Sequence, residues 1–158
     1  MQAQSRTDFD LADYAPIISE VIDSGGEFRL FPRGTSMLPL LRQGKDSVVL
    51  VKCTKPPKKR DIIFYKRPNG QFVLHRILRV SNDSTYVLCG DNQTVLEKGI
   101  SKEMIIAVVS AVFRGEKRIE KTAFLRKTYE FFWCVMPLRK FMFFVRRAMS
   151  KIKRIIFK

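Results

Sequence analysis

Between residues 27 and 119 the chain is cut into short apolar runs by turn-forming residues, a texture that leaves little room for anything but β-structure. Glu27–Pro32 carries Phe28, Leu30 and Phe31, Ser47–Lys52 is rich in Val, and Asp61–Lys66 holds Ile62, Ile63, Phe64 and Tyr65. Pro68-Asn69-Gly70 is a turn signal ahead of Gln71–Val80, Ser81–Ser84 is another ahead of Thr85–Cys89, and Ile105–Arg114 ends the series. β-Branched and aromatic residues suit a half-buried pleated surface, while Pro, Asn, Asp, Ser and Gly supply the backbone conformations of turns. About five or six strands with short polar turns predict a mainly β domain, compact, curled and barrel-like.

The flanks differ. Residues 1–26 read as a polar tail and one short amphipathic helix, with Asp10 or Asp13 as its cap and Ala15, Ile17, Ile18, Val21 and Ile22 as its apolar stripe. Gly25 and Gly26 end that helix. Residues 120–158 form a third region, a basic tail holding 11 Lys and Arg side chains against Glu120 and Glu130. Most of the formal net charge of +15 therefore belongs to the tail. A charge of that size predicts attraction to a polyanion, either nucleic acid or an anionic lipid surface.

From Leu138 the apolar positions recur at Phe141, Met142, Val145, Met149, Ile152, Ile155 and Ile156, in steps of three and four. Arg139, Lys140, Arg146, Arg147, Lys151, Lys153, Arg154 and Lys158 fall on the opposite face. A basic amphipathic helix with aromatic residues is suited to a membrane interface, where each cation near an anionic leaflet contributes about 1 kcal/mol. Pro137 is expected to break it from a preceding helical stretch, Ala123–Met136. Packing on protein is the competing use of the tail. Nucleic acid ranks last, because no helix-turn-helix is legible.

The apolar runs Phe131–Leu138 and Phe141–Val145 are interrupted by Arg139 and Lys140 and fall short of the roughly 20 residues a membrane span needs. Met1–Asp13 has neither the basic start nor the apolar run of a secretory signal. The expected location is cytoplasmic and peripheral, on the inner face of the membrane. Cys53, Cys89 and Cys134 are widely spaced, with His75 as the single histidine. A metal site or a disulfide framework is not expected, and no cofactor is implied.

Three pieces carry chemistry. Pro32-Arg33-Gly34-Thr35-Ser36-Met37-Leu38-Pro39 lies between two strands, Phe72-Val73-Leu74-His75-Arg76-Ile77-Leu78 is a strand with the histidine in its middle, and Cys89-Gly90-Asp91-Asn92 follows a strand. A serine hydroxyl needs a positioned base and oxyanion donors, and an imidazole of ordinary pKa near 6.5 is neutral and able to accept a proton at pH 7. Each piece alone is an ordinary loop, core histidine or Asx turn.

In this order the three resemble the signal peptidase I and LexA-type self-cleaving protease superfamily, over about residues 28–114. The Val-Leu-His-Arg-Ile strand is similar to the endoplasmic-reticulum and archaeal branch, in which histidine stands where most bacterial members have lysine. The resemblance implies Ser36 as nucleophile, His75 as general base and Asp91 as the carboxylate that orients it. It also implies the Ser36 backbone N–H as oxyanion donor, with Gly34, Thr35 and Met37 around oxyanion and substrate. A β-rich fold that takes an extended peptide along an edge strand, with small side chains before the cut, goes with it.

The chain departs from the family at Gly34, where many signal peptidases carry a second serine, at Arg60-Asp61, where Gly-Asp is usual, and after Gly90-Asp91-Asn92, where Glu97 is the only acidic residue on offer. It also lacks the family's membrane span. The expected activity is that of a serine endopeptidase on an extended peptide or preprotein near a membrane. The alternative is a catalytically inactive basic module that binds anionic lipid or acidic partners. Self-cleavage would have Gly25-Gly26 as a poor scissile candidate, and the sequence leaves the oligomeric state open.

Overall fold

The computed structural model describes residues 11–120, 131, 134–141 and 143–145. It opens with helix α1, Leu11–Asp23, whose Ala15, Ile18 and Ile22 are buried, whereas Ile17, expected on the same stripe, is half exposed. Gly25 adopts a φ of 85°, and bonds from its N–H to the Ile22 carbonyl and from Gly26 to Val21 close the helix C-terminus. Asp13 lies inside the helix and does not cap it, and Asp10 lies outside the described residues.

The strands are β1 (Phe28–Leu30), β2 (Asp46–Val51), β3 (Ile62–Lys66), β4 (Phe72–Val80), β5 (Tyr86–Cys89), β6 (Glu97–Ile100), β7 (Ile105–Arg114) and β8 (Lys117–Glu120). All ladders are antiparallel, in the order β1-β2-β7-β3-β4-β5-β6, with β8 on β7. The result is one mainly β sheet of eight strands. β7 is its pivot. β2 lies along one edge of β7, while β3 and β8 share the other.

Register shifts at Val49/Leu50, Phe64/Tyr65, Ile77/Arg79 and Tyr86/Leu88 bend the strands. The sheet nevertheless stays open, with β1 and β6 as its ends, so barrel-like closure is not found.

Alternation along the strands builds a core on each face. Phe64, Leu74, Ile62, Leu50 and Val109 join Ile18 and Ile22 of α1 in the larger cluster, and Ile63, Tyr65, Ile77 and Leu88 form the other. β3 is buried on both faces, as a strand between two neighbours in a covered sheet must be.

At the other end, residues 136–141 and 143–145 are helical. Pro137 stands in the first turn of this segment, where its missing N–H has no partner to lose, and the expected break lies just before it, at the non-helical residues 134 and 135. Most of the expected helix Ala123–Met136, and the tail from residue 146 onward, lie outside the described residues. Where the tail is described, one expected position is overturned: Arg139, placed on the solvated basic face, is buried, whereas Lys140 on the same face is exposed. Arg139 is 1% exposed, while Phe141 and Phe144 are 62% and 69% exposed. No helix among the described residues is long and apolar enough to cross a membrane.

Candidate active site

The chain leaves β1 at Phe31 and turns through residues 34–40 before it enters β2. Gly34 sits at φ 83°, a conformation that strains any residue with a side chain, and its N–H donates to Gln43 Oε1 at 2.9 Å. A serine at this position would carry that strain. Bonds from Leu38 N–H to the Thr35 carbonyl (3.2 Å) and from Leu41 N–H to the Met37 carbonyl (2.9 Å) tie the turn together. Met37 plugs into the larger core, which anchors the turn and leaves Ser36 half-buried at its surface.

His75 occupies the middle of β4, paired with Ile63 of β3, and is 1% exposed. Its Nδ1 lies 2.9 Å from Glu97 Oε1. Glu97 opens β6 and is gripped by Arg67 through both carboxylate oxygens, while Tyr65 donates its hydroxyl to Oε2 at 2.7 Å. An ionised carboxylate only accepts, so the proton of neutral His75 stands on Nδ1 and the lone pair on Nε2. Tyr65 Oη, 3.4 Å from Nδ1 with its own proton on Glu97, agrees with that tautomer.

Nε2 faces the Gly90–Gln93 loop and the Ser36 turn. A Cβ at Gly90 would lie 2.7 Å from the Ser36 carbonyl oxygen and 3.0 Å from His75 Nε2. Both groups therefore crowd the same side of the Gly90 Cα, and only a glycine permits the approach. Asn92 N–H donates to the Ser36 carbonyl at 2.6 Å, fastening loop to turn.

Asp91 is not the carboxylate on Nδ1. Adjacent strand residues point to opposite faces, so Arg76 turns away from the side of His75. Asp91 meets Arg76 in a bidentate pair of 2.8 and 2.7 Å, both side chains wholly buried. An arginine inside a strand requires such an anion. The expected role of Asp91 is thus corrected: it holds Arg76, and Glu97 supplies the partner of the imidazole. Sequence reasoning had named Glu97 only as the acidic residue left after Gly-Asp-Asn, because Glu97-Lys98-Gly99-Ile100 carries no motif.

Ser36 and His75 line one cleft of about 1190 Å³ together with Gly34 and Met37. Phe28, Leu30, Phe31, Phe64 and Phe72 give it apolar walls. Thr35, expected beside the oxyanion, is exposed and does not line it. Beside the cleft, β1 pairs only with β2 among the described residues, which leaves its other edge open.

The electrostatics follow from the burial. Loss of water pulls the pKa of His75 below its usual value, although the Glu97 carboxylate pulls the other way. Burial raises the pKa of Glu97, but Arg67, Tyr65 and His75 outweigh it and leave the net shift downward. At neutral pH the site holds a neutral imidazole beside an ionised carboxylate.

Cys53, Cys89 and Cys134 form no disulfide with one another. Among the described residues, no group of three His, Cys, Asp or Glu side chains is placed to hold a metal. Comparison of the chain with protein-family models, with curated proteins and with solved structures found no match.

Proposed function

We propose that this chain is a serine endopeptidase of the signal-peptidase type, acting on an extended polypeptide at an anionic membrane surface. The observation that carries the reading is the His75 ring, held at Nδ1 by Glu97 with Nε2 turned toward the Ser36 turn. In the proposed reaction the Ser36 Oγ–H gives its proton to Nε2 while the oxygen attacks the scissile carbonyl. The backbone N–H of Ser36 stabilises the resulting oxyanion. Collapse breaks the C–N bond, and the imidazolium returns its proton to the leaving amine. Water, deprotonated by the same nitrogen, then hydrolyses the acyl-serine and restores the hydroxyl.

Glu97 holds the ring in the productive tautomer and offsets its charge. The open edge of β1 offers main-chain donors and acceptors to an extended substrate, whose apolar side chains enter the phenylalanine-walled cleft. Labelling with a fluorophosphonate is the direct test. Modification of Ser36 in the native chain supports the reading, and its absence leaves the inactive lipid-binding module.

Glu97→Gln keeps the shape of the contact and removes the charge. It is expected to lower kcat roughly 100-fold or more, because either tautomer can then face Glu97's replacement. The anion raises the pKa of His75, so its removal lowers that pKa further. The acid limb of kcat/KM should therefore move to lower pH, and a limb that stays in place or moves up would exclude Glu97 as the partner of the base.

Membrane attachment is assigned to the exposed Phe131, Phe141 and Phe144 together with the cationic loop Lys55–Lys59. Arg60, at the end of that loop, stacks over the Phe131 ring at 5.1 Å and brings Phe131 to the loop. This is the chemistry of an interfacial anchor, on the inner face of a membrane in the proposed setting. Phe141→Ser with Phe144→Ser should lower sedimentation with phosphatidylserine vesicles at least about 10-fold, since each buried aromatic ring contributes about 1.5–3 kcal/mol. Unchanged sedimentation would remove the anchor.

A further inference from the structure

Arginine is seldom fully buried, yet Arg139 is, and it arrives from the C-terminal helical segment to lie behind the loop that touches the Ser36 carbonyl and His75 Nε2. Its Nη1 donates to the carbonyls of Gly90 at 3.0 Å and Gln93 at 3.3 Å, the two ends of that loop, and its Nη2 lies 3.9 Å from Asp91 Oδ1. Asp91, between them, is gripped by Arg76. On the opposite side, Asn92 N–H holds the Ser36 carbonyl, and the Gly90 Cα abuts both that carbonyl and His75 Nε2.

We propose that Arg139 is a positioning residue for the Ser36 nucleophile, which makes the C-terminal helix a working part of the catalytic unit and not a detachable anchor. The inference rests on the reading of Ser36 and His75 as nucleophile and base. The loop is gripped by two arginines from behind and in turn fixes the spacing of the Ser36 turn from the imidazole. With the guanidinium gone, the Gly90 carbonyl keeps only the Gln93 N–H and the Gln93 carbonyl only the Cys89 thiol, so nothing from the C-terminal segment ties the two ends of the loop together and the loop relaxes. A displacement of about 1 Å at a reacting pair costs on the order of 100-fold in rate.

The test uses the full chain with Arg139→Gln and Arg139→Lys, each kept well below its own unfolding temperature. Three quantities are read: the rate of Ser36 phosphonylation by a fluorophosphonate, kcat and KM on a cleaved peptide, and hydrogen exchange at the Asn92 amide. Arg139→Gln should slow phosphonylation and lower kcat roughly 100-fold, change KM by less than about 3-fold, and speed Asn92 exchange at least about 10-fold. The acid limb of kcat/KM should stay in place, because Glu97 still holds His75. Arg139→Lys, with the charge kept and the fork lost, should recover part of the rate.

Wild-type labelling and wild-type Asn92 exchange in Arg139→Gln would overturn the proposal. If that variant does not fold, Arg139→Lys decides by the same readings, full wild-type values again overturning it. A native chain whose Ser36 resists the probe removes the peptidase reading and with it the catalytic role of Arg139. Asn92 exchange then reports separately whether Arg139 holds the loop.

Discussion

Ser36→Ala is expected to lower peptide cleavage by about 10⁴-fold or more and to abolish fluorophosphonate labelling, with no change in thermal midpoint. Ser36 stands half-buried on a turn whose anchors are its neighbours: Met37 in the core and the bonds of Leu38 and Leu41. The substitution removes an oxygen and leaves those anchors in place. A variant that still cleaves at more than a hundredth of the native rate would place the nucleophile elsewhere. His75→Gln should match it in activity, since both residues act in one proton transfer, and the double variant should be no worse than either alone.

Asp91→Ala carries the largest expected loss of stability. Arg76 and Arg139 both lie against this carboxylate with essentially no solvent contact. Removing one member of a buried ion pair leaves cations without their counter-charge and costs about 3–5 kcal/mol. For a chain of 158 residues that corresponds to a fall in Tm of roughly 10 °C. Chemical denaturation should show a lower midpoint with the same slope. A carboxylate that orients the imidazole shows chiefly in kcat: Glu97→Gln, whose partner Arg67 is partly exposed, is expected to cost less stability than Asp91→Ala and far more rate. The two variants together separate the structural carboxylate from the catalytic one.

Much of the sheet was legible because its strands are apolar runs between turns. β2, β3, β4, β5 and β7 fall within a residue or two of the segments read from Val, Ile, Phe and Tyr content. β6 and β8 were not foreseen. Glu97-Lys98-Gly99-Ile100 and Lys117-Arg118-Ile119-Glu120 have no apolar run and are strands because β5 and β7 offer them a ladder. Whether the sheet closes depends on long-range pairing and bulges, to which a local pattern is blind.

At the site, the Ser36 carbonyl and His75 Nε2 meet at Gly90, a contact between segments 39 residues apart that no local pattern displays. The partner of His75 was misread, although strand alternation held the clue: an arginine beside a histidine in an apolar strand needs its own buried anion, and Asp91 answers that need. Arg139 was assigned to the solvated face by helical periodicity. That periodicity counts residue types and cannot register a single cation whose partners lie 46 and 49 residues upstream.

The central position of β7 has a consequence for biosynthesis. Among the described residues, the halves β1-β2 and β3-β6 are joined in the ladder only through this strand, which ends at Arg114. A nascent chain that stops short of it presents two long, apolar, unpaired edges, those of β2 and β3, to every other chain nearby. Fragments that end between residues 67 and 104 are thus expected to aggregate, and a ribosome stalled there would display a sticky intermediate for chaperones to cover until the pivot emerges.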